Sequence, residues 1–254
     1  MERRLVFGED APRYDRARPT YPSALIDDLV DLLGAHARVI DVGTGTAKGT
    51  RLLAERGMTG VGVEAHPAMA AEARQHLARY PGWRVDVSDF EDWTPTDGDA
   101  PADLVSSAQA WHWVDPAAGL ATAHGLLRPG GWIALWWNLA EEDPQPIRQE
   151  IDAAYEEIAP GELFSPQIRR DEASPFDDAP AVVEFRDPTE RLYRWNLTYT
   201  TAELLDLIST HSNHQVMPAE LREQLLDAVA TIVDRHGGTY DYPYVTRLWS
   251  AQRV

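Results

Sequence analysis

VIDVGTGTAKGT (39–50) runs an apolar segment into Gly43, Thr44 and Gly45. A turn built on such glycines lets a ligand approach the backbone where no Cβ intrudes. In open α/β sheets, ligands sit beyond the carboxyl ends of the strands, so this turn is a candidate cradle. The same pattern also serves as a plain tight connection. A dinucleotide fingerprint, G-x-G-x-x-G, needs glycine at position 48, where this chain has Lys48. Asp41 would repel a pyrophosphate and is comfortable beside a cation. The ligand expected here is positive or lacks phosphates.

Glu64 follows about 20 residues beyond Gly43, at the end of GVGVE (60–64). An acid in that place accepts hydrogen bonds from ribose hydroxyls. The plain alternative is an exposed strand-end acid. Ser88-Asp89-Phe90 follows WRVDV (83–87). Asp89 could accept from an adenine amine, with Phe90 against the ring. Otherwise the pair is a loop acid beside a core aromatic. Together these residues describe a site for an adenosine carrying a cation.

SAQAWHWVDP (107–116) places Trp111, His112 and Trp113 after another apolar run. His112, with an ordinary pKa of about 6.5, is a candidate general base for an acceptor hydroxyl or amine. Equally, it is a histidine packed between tryptophans or capping a helix. Trp111 either walls a substrate, with cation–π contact to a bound cation, or belongs to the core. Trp136 reads as core, and Trp137-Asn138 as a pocket edge touching substrate. His211 and His214 have ligand-like spacing, but are expected to be surface histidines.

These residues need elements to position them. Pro22 opens a helix with Leu25, Ile26, Leu29, Val30 and Leu33 at helical spacing, and Gly34 stops it. Segments 38–42, 60–64, 83–87, 102–108 and 132–137 read as strands, with helices between most of them. Regular alternation implies right-handed crossovers and a mostly parallel sheet covered by helices on both faces. Continuously apolar strands fit burial on both sides. Residues 139–180 are acidic and proline-containing, a helix plus irregular cover. Residues 191–199 alternate as a half-exposed strand. Helices are expected at 202–209 and 219–236, with Gly237-Gly238 as a stop. TYDYPYVTRLWSAQR (239–253) holds a last strand, which suggests an antiparallel edge. A polar stretch such as that before Pro22 would normally be frayed, yet this one carries Tyr14, Tyr21 and the Arg18-Pro19 pair.

The chain has 254 residues, room for one large domain. Asp and Glu outnumber Lys and Arg by 41 to 23, a net charge of −18, which opposes a phosphate-backbone partner. Cysteine is absent, which excludes disulfides, thiolate metal sites and a cysteine nucleophile. No apolar run approaches the ~18 residues of a spanning helix, and no signal-peptide core opens the chain. A cytoplasmic protein, monomer or homodimer, without membrane or nucleic-acid partner, is expected.

The chain resembles class I S-adenosylmethionine-dependent methyltransferases, within them the small-molecule branch of trans-aconitate methyltransferase-like proteins with a type 11 domain. YDRARPTYP, VIDVGTGTA, GVGVEAHPAM, DLVSSAQAWHWVDP, LLRPGGWIALWWN and PYVTRLW carry the likeness across nearly the whole chain. Ala47 departs from it, standing where a third glycine is usual, yet small enough for close helix–strand packing. The resemblance implies a Rossmann-like, doubly wound α/β fold: a seven-stranded sheet with an antiparallel edge strand and helical lid elements. It implies one domain, with residues 1–35 as lid and first helix, 36–138 as cofactor-binding core and 139–254 as cover, late strands and helices. S-adenosylmethionine is the implied cofactor. Asp41, Gly43, Thr44 and Gly45 would surround its methionine part, Glu64 and Ala65 its ribose, Asp89 and Phe90 its adenine, and Gln109 its sulfonium.

In the resembling family the N-terminal stretch folds across the cofactor. Tyr14 would then close on the methionine end, while Arg18 offers its fork to a carboxylate of cofactor or substrate. Arg18 pairing with a surface acid is the plainer alternative. Tyr21, Trp111, Trp137 and Asn138 would meet the substrate. A metal-dependent catechol-type arrangement needs an acid after the fourth strand and a later Asp-Asn pair. Gln109 and Trp137-Asn138 stand there instead, so no metal is expected. The implied activity is methyl transfer to an O, N or C atom of a small-molecule substrate. The alternative is a methyltransferase-fold protein that binds the cofactor without transfer, as cyclase, regulator or partner-binding subunit.

Overall fold

The computed structural model describes residues 11–96, 100–141, 143–164, 174–177 and 185–254. The first half comprises α1 (Ala11–Ala17), α2 (Ser23–Leu33), β1 (Arg38–Val42), α3 (Lys48–Glu55), β2 (Thr59–Glu64), α4 (Pro67–Leu77), β3 (Trp83–Val87), β4 (Ala102–Ala108), α5 (Pro116–Leu126) and β5 (Leu127–Ala140). Then come α6 (Pro146–Ile158), β6 (Phe185–Thr200), α7 (Thr201–Ser209), α8 (Ser212–Val216), α9 (Ala219–Arg235) and β7 (Thr239–Arg253). A 3-10 turn covers Trp111–Trp113.

The seven strands form one sheet in the order β3-β2-β1-β4-β5-β7-β6. The pairs β2/β3, β1/β2, β1/β4 and β4/β5 are parallel. The direction reverses at β7. Gln252 Nε2 donates to the Gly130 carbonyl at 2.8 Å and Thr246 Oγ1 to Asn138 Oδ1 at 2.6 Å, so β7 descends as β5 rises. Thr189 meets Ser250 at 2.9 Å and Thr198 meets Asp241 at 2.5 Å, the same reversal between β6 and β7. The expected doubly wound sheet with an antiparallel edge is the observed one. Strand order switches direction at β1 and β4, where such sheets open a crevice.

The chain divides into two compact units. The larger comprises the described parts of Thr20–Asn138, Asp171–Tyr193 and Thr246–Val254. Its strands send neighbouring residues to opposite faces. Val39, Leu104, Ala134 and Trp136 pack with Leu25, Ile26 and Leu29 of α2 and Leu53 of α3. Ile40, Val42, Val105, Ile133 and Leu135 pack with Leu120 and Ala123 of α5. Each fully buried aliphatic side chain stabilises by about 1.5–3 kcal/mol. These two layers hold the loops at the carboxyl ends of β1, β2 and β4. Asp115 caps α5 by accepting from the Ala118 N–H at 2.8 Å, as its place before Pro116 suggests.

The smaller unit comprises the described parts of Met1–Pro19, Leu139–Arg170 and Arg194–Val245. Its core joins α6, α7 and α9 to Tyr240, Tyr242 and Tyr244 of β7. The described part of the stretch before Pro22 is not frayed: residues 11–17 form α1. Arg13 Nη2 meets Asp206 of α7 at 2.7 Å, and Arg18 Nη2 donates to the Thr210 carbonyl at 2.7 Å. A helix this short does not hold by itself, and these tertiary contacts supply what propensity lacks. His211 and His214 are not surface groups either. Both are buried, with ring centroids 6.4 Å apart. His214 Nε2 lies 2.8 Å from the Tyr155 hydroxyl. α8 turns the His214 ring inward onto Tyr155 of α6, and His211 stands just before α8.

Burial, helped by the positive charge of Arg222, depresses the His214 pKa to about 4, against the opposing pull of Glu162. The folded ring therefore stays neutral while the unfolded one takes a proton near pH 6.5. Its contribution to stability is complete above about pH 6.5 and is lost as pH falls towards 4, by about 3 kcal/mol in all. An NMR titration should place His214 near pH 4. Urea unfolding at pH 7 and pH 5 should show a larger loss in the wild type than in His214→Gln.

Candidate functional site

Asp41 stands one residue before the end of β1, beneath the glycine turn, and is only 1% exposed. Ser106 of β4 donates to Oδ1 at 2.6 Å. Thr44 of the turn and Thr50 of α3 donate to Oδ2 at 3.0 and 2.5 Å, and the two threonine hydroxyls also meet each other. Burial raises the carboxyl above the ordinary range, against the pull of the three hydroxyls. This corrects the expectation that Asp41 faces a cationic ligand. It is turned inward and positions the turn.

Above it the backbone is left-handed at Gly43 (φ +64), Gly45 (φ +58) and Ala47 (φ +67). Gly43 and Thr44 both donate to the Val63 carbonyl, at 2.9 and 3.2 Å, tying the turn to β2. Ala47 takes the conformation a glycine holds cheaply, at a cost of about 1–2 kcal/mol, and is fully buried at the start of α3. The helix packs closely in spite of the missing glycine.

Glu64 lies at the tip of β2. Its Oε2 accepts from the Gly45 N–H and its Oε1 from the His66 N–H, both at 2.8 Å. Burial raises its carboxyl, and the two backbone donors oppose this. Ala65 beside it is exposed. Asp89 follows β3, half-buried, at the neighbouring strand end. Phe90 is buried in the core, 6.0 Å from the Trp111 ring, so its face is committed to packing. The structure brings Gly45 and Glu64 into direct contact, with Gly43 tied to Val63 beside them.

At the ends of β4 and β5 the roles change most. Gln109 (φ +60) donates to the Asn138 carbonyl and accepts from the Asn138 N–H, both at 3.2 Å. Asn138 is 5% exposed. Its Nδ2 donates to the Thr20 carbonyl at 2.8 Å, and its Oδ1 accepts from Thr246. All four polar groups of Asn138 are engaged, so it is a joint of the fold, not a substrate contact. Tyr21 is likewise in the core, edge-on to Trp136 at 5.9 Å. Trp111 is buried against Phe90, which favours its core alternative. His112 is exposed, with the Trp113 ring 4.7 Å from its own, and partial desolvation lowers its pKa. Trp137 Nε1 points to His112 Nδ1 at 3.4 Å.

Arg18 lies in the smaller unit, with its described hydrogen bond on the Thr210 carbonyl. Tyr14 belongs to α1 by its backbone, and its side chain lies outside the described residues. Sequence reasoning missed Thr50, Ser106 and Ala110. A hydroxyl across the sheet leaves no spacing signal. Ala110 sits where Gly43 needs a small neighbour, a contact that only folding creates.

A methyl group at Gly43 would stand 2.3 Å from the Ala110 Cβ, on left-handed backbone. Gly43→Ala is expected to destabilise by more than about 2 kcal/mol. Ala110→Gly in the same chain should restore the steric part, with urea unfolding measuring both.

Residues 40–135 match a family model described as a methyltransferase domain. Over 248 residues the chain is 34% identical to uncharacterized methyltransferases of Mycobacterium bovis and Mycobacterium tuberculosis, spanning 95% of this chain and 93% of theirs. A trans-aconitate 2-methyltransferase of Delftia acidovorans is 36% identical over 119 residues, 46% of this chain and 43% of its own. A putative type II methyltransferase from Anaeromyxobacter dehalogenans shares the fold, with TM-score 0.59 and 22% identity over 93% of this chain and 97% of its own. With a relative this similar along almost its whole length, and a glycine turn bound to an acid at the next strand tip, the chain belongs to the methyltransferase family of enzymes.

Proposed function

We propose that this methyltransferase uses S-adenosylmethionine and methylates an oxygen, nitrogen or carbon atom of a small-molecule metabolite. The observation that carries the reading is the contact between the glycine turn and Glu64. Each Glu64 oxygen takes one backbone N–H and keeps a further lone pair. A ribose diol offers two O–H donors to match. A Cβ at Gly45 would meet nothing closer than Met69 Cε at 3.7 Å, so that side of the turn has room. The residues present therefore fit an adenosine cofactor. When bound, S-adenosylmethionine supplies a methyl group on a positively charged sulfur, already activated for displacement.

The chain's own part is orientation and exclusion of water. Holding reactants in an attack geometry is worth up to ~7–11 kcal/mol in favourable cases. Glu64 and Ala65 hold the ribose, Asp89 stands at the adenine side, and Gly43 to Gly45 border the methionine part. Asp41 acts through the turn that it anchors. His112 and Trp137 border the acceptor. The trans-aconitate 2-methyltransferases among the relatives are named for a small organic acid, which supports a small-molecule acceptor. The net charge of −18 supports it too, by opposing nucleic acid. Among the described residues no helix is long and apolar enough to cross a membrane.

S-adenosylhomocysteine at about 100 times its Kd should add about 2.7 kcal/mol of stability. For a chain of this size that lifts Tm by roughly 5–10 °C. NAD at the same concentration should leave Tm unchanged, and the reverse pattern would sink the cofactor assignment. Glu64→Gln should weaken S-adenosylhomocysteine binding by roughly 1.5–3 kcal/mol, the worth of a hydrogen bond to a charged group. Calorimetry finding equal affinity in a folded variant would make Glu64 a strand-end group only.

A further inference from the structure

His112 and Trp137 meet at the carboxyl ends of β4 and β5. Trp137 Nε1 stands 3.4 Å from His112 Nδ1, and the Trp113 ring lies 4.7 Å from the imidazole, centroid to centroid. An indole N–H donates and cannot accept. The contact therefore makes Nδ1 the acceptor. In a neutral imidazole this leaves the single proton on Nε2.

We propose that Trp137 is a positioning residue that locks His112 in its Nε2–H tautomer, and that His112 serves the methyl acceptor as a hydrogen-bond donor, not as the base that takes its proton. The inference rests on the reading of this strand end as the acceptor side of the site.

Three features support it. A base at Nε2 needs a lone pair there, which moves the proton to Nδ1. Two N–H groups would then face each other across the Trp137 contact. The support of Trp137 is also rigid. It belongs to β5, half-buried on the apolar face, and its neighbour Asn138 is tied by four polar groups. Finally, partial desolvation beside Trp113 and Trp137 disfavours the charged imidazole. The ring remains a neutral donor near pH 7.

Nitrogen NMR of protein labelled at histidine, without any ligand, reads the tautomer directly. At neutral pH the wild type should show His112 with Nδ1 bare and Nε2 protonated. Trp137→Phe should let the Nδ1–H form appear. A proton on Nδ1 in the wild type, or an unchanged spectrum in Trp137→Phe, overturns the lock. Turnover is read as S-adenosylhomocysteine released from S-adenosylmethionine with a pool of small carboxylic acids, phenols and amines. A glutamine amide nitrogen reaches the place of Nε2, whereas that of asparagine reaches only Nδ1. His112→Gln should stay within about threefold of wild type, while His112→Asn and His112→Ala lose about 10–100-fold. Equal losses in Gln and Asn overturn the donor role. Full turnover in His112→Ala, with the tautomer as stated, shows that the acceptor reading of this strand end has failed, and the donor role fails with it.

Discussion

A carboxylate taken out of water must recover its lost hydration from the protein. Asp41 does so with three hydroxyls, one each from the turn, α3 and β4. Each donor is thereby placed to within a hydrogen bond of a single buried point. The strand that carries Asp41, the turn that covers it and the helix that follows cannot shift separately without stranding that group. The left-handed glycines depend on this anchor, because a strained turn persists only where its surroundings over-determine it. The Gly45 N–H that reaches Glu64 is aimed from the same turn.

A second fixed point governs the other side of the crevice. Asn138 ends the apolar run of β5 and is gripped by Gln109 through its backbone and by Thr20 and Thr246 through its side chain. It ties the residue after β4, the start of α2 and the antiparallel β7 to one amide. Trp137 inherits its rigidity from this joint. A polar residue at the edge of a candidate pocket thus serves geometry, and the groups it steadies are left to meet the ligand.

Much of the fold was legible in the residue pattern. The inner strands of the first half are mostly apolar because both faces are covered, and helices begin just after Pro22 and at Pro67 and Pro116. The period-2 alternation from Tyr193 to Tyr199 marked β6. The short helices were not legible. The seven residues of α1 and five of α8 are below the length at which propensity decides. The burial of His214 escaped notice for the same reason, since its partner Tyr155 belongs to α6, distant in sequence.

Of the candidate site, the sequence by itself determined the glycine turn and the acid at the next strand tip. Both are local requirements: a backbone that must turn left-handed, and a fixed distance from one strand end to the next. Tertiary structure alone decided which polar residues face a ligand and which face one another. Asp41, Gln109 and Asn138 have residue types that suit a binding site, and folding matched each of them with a polar partner remote in sequence. The physical reason is that a buried donor or acceptor is costly unless matched. The match is a contact in space, which spacing along the chain does not encode.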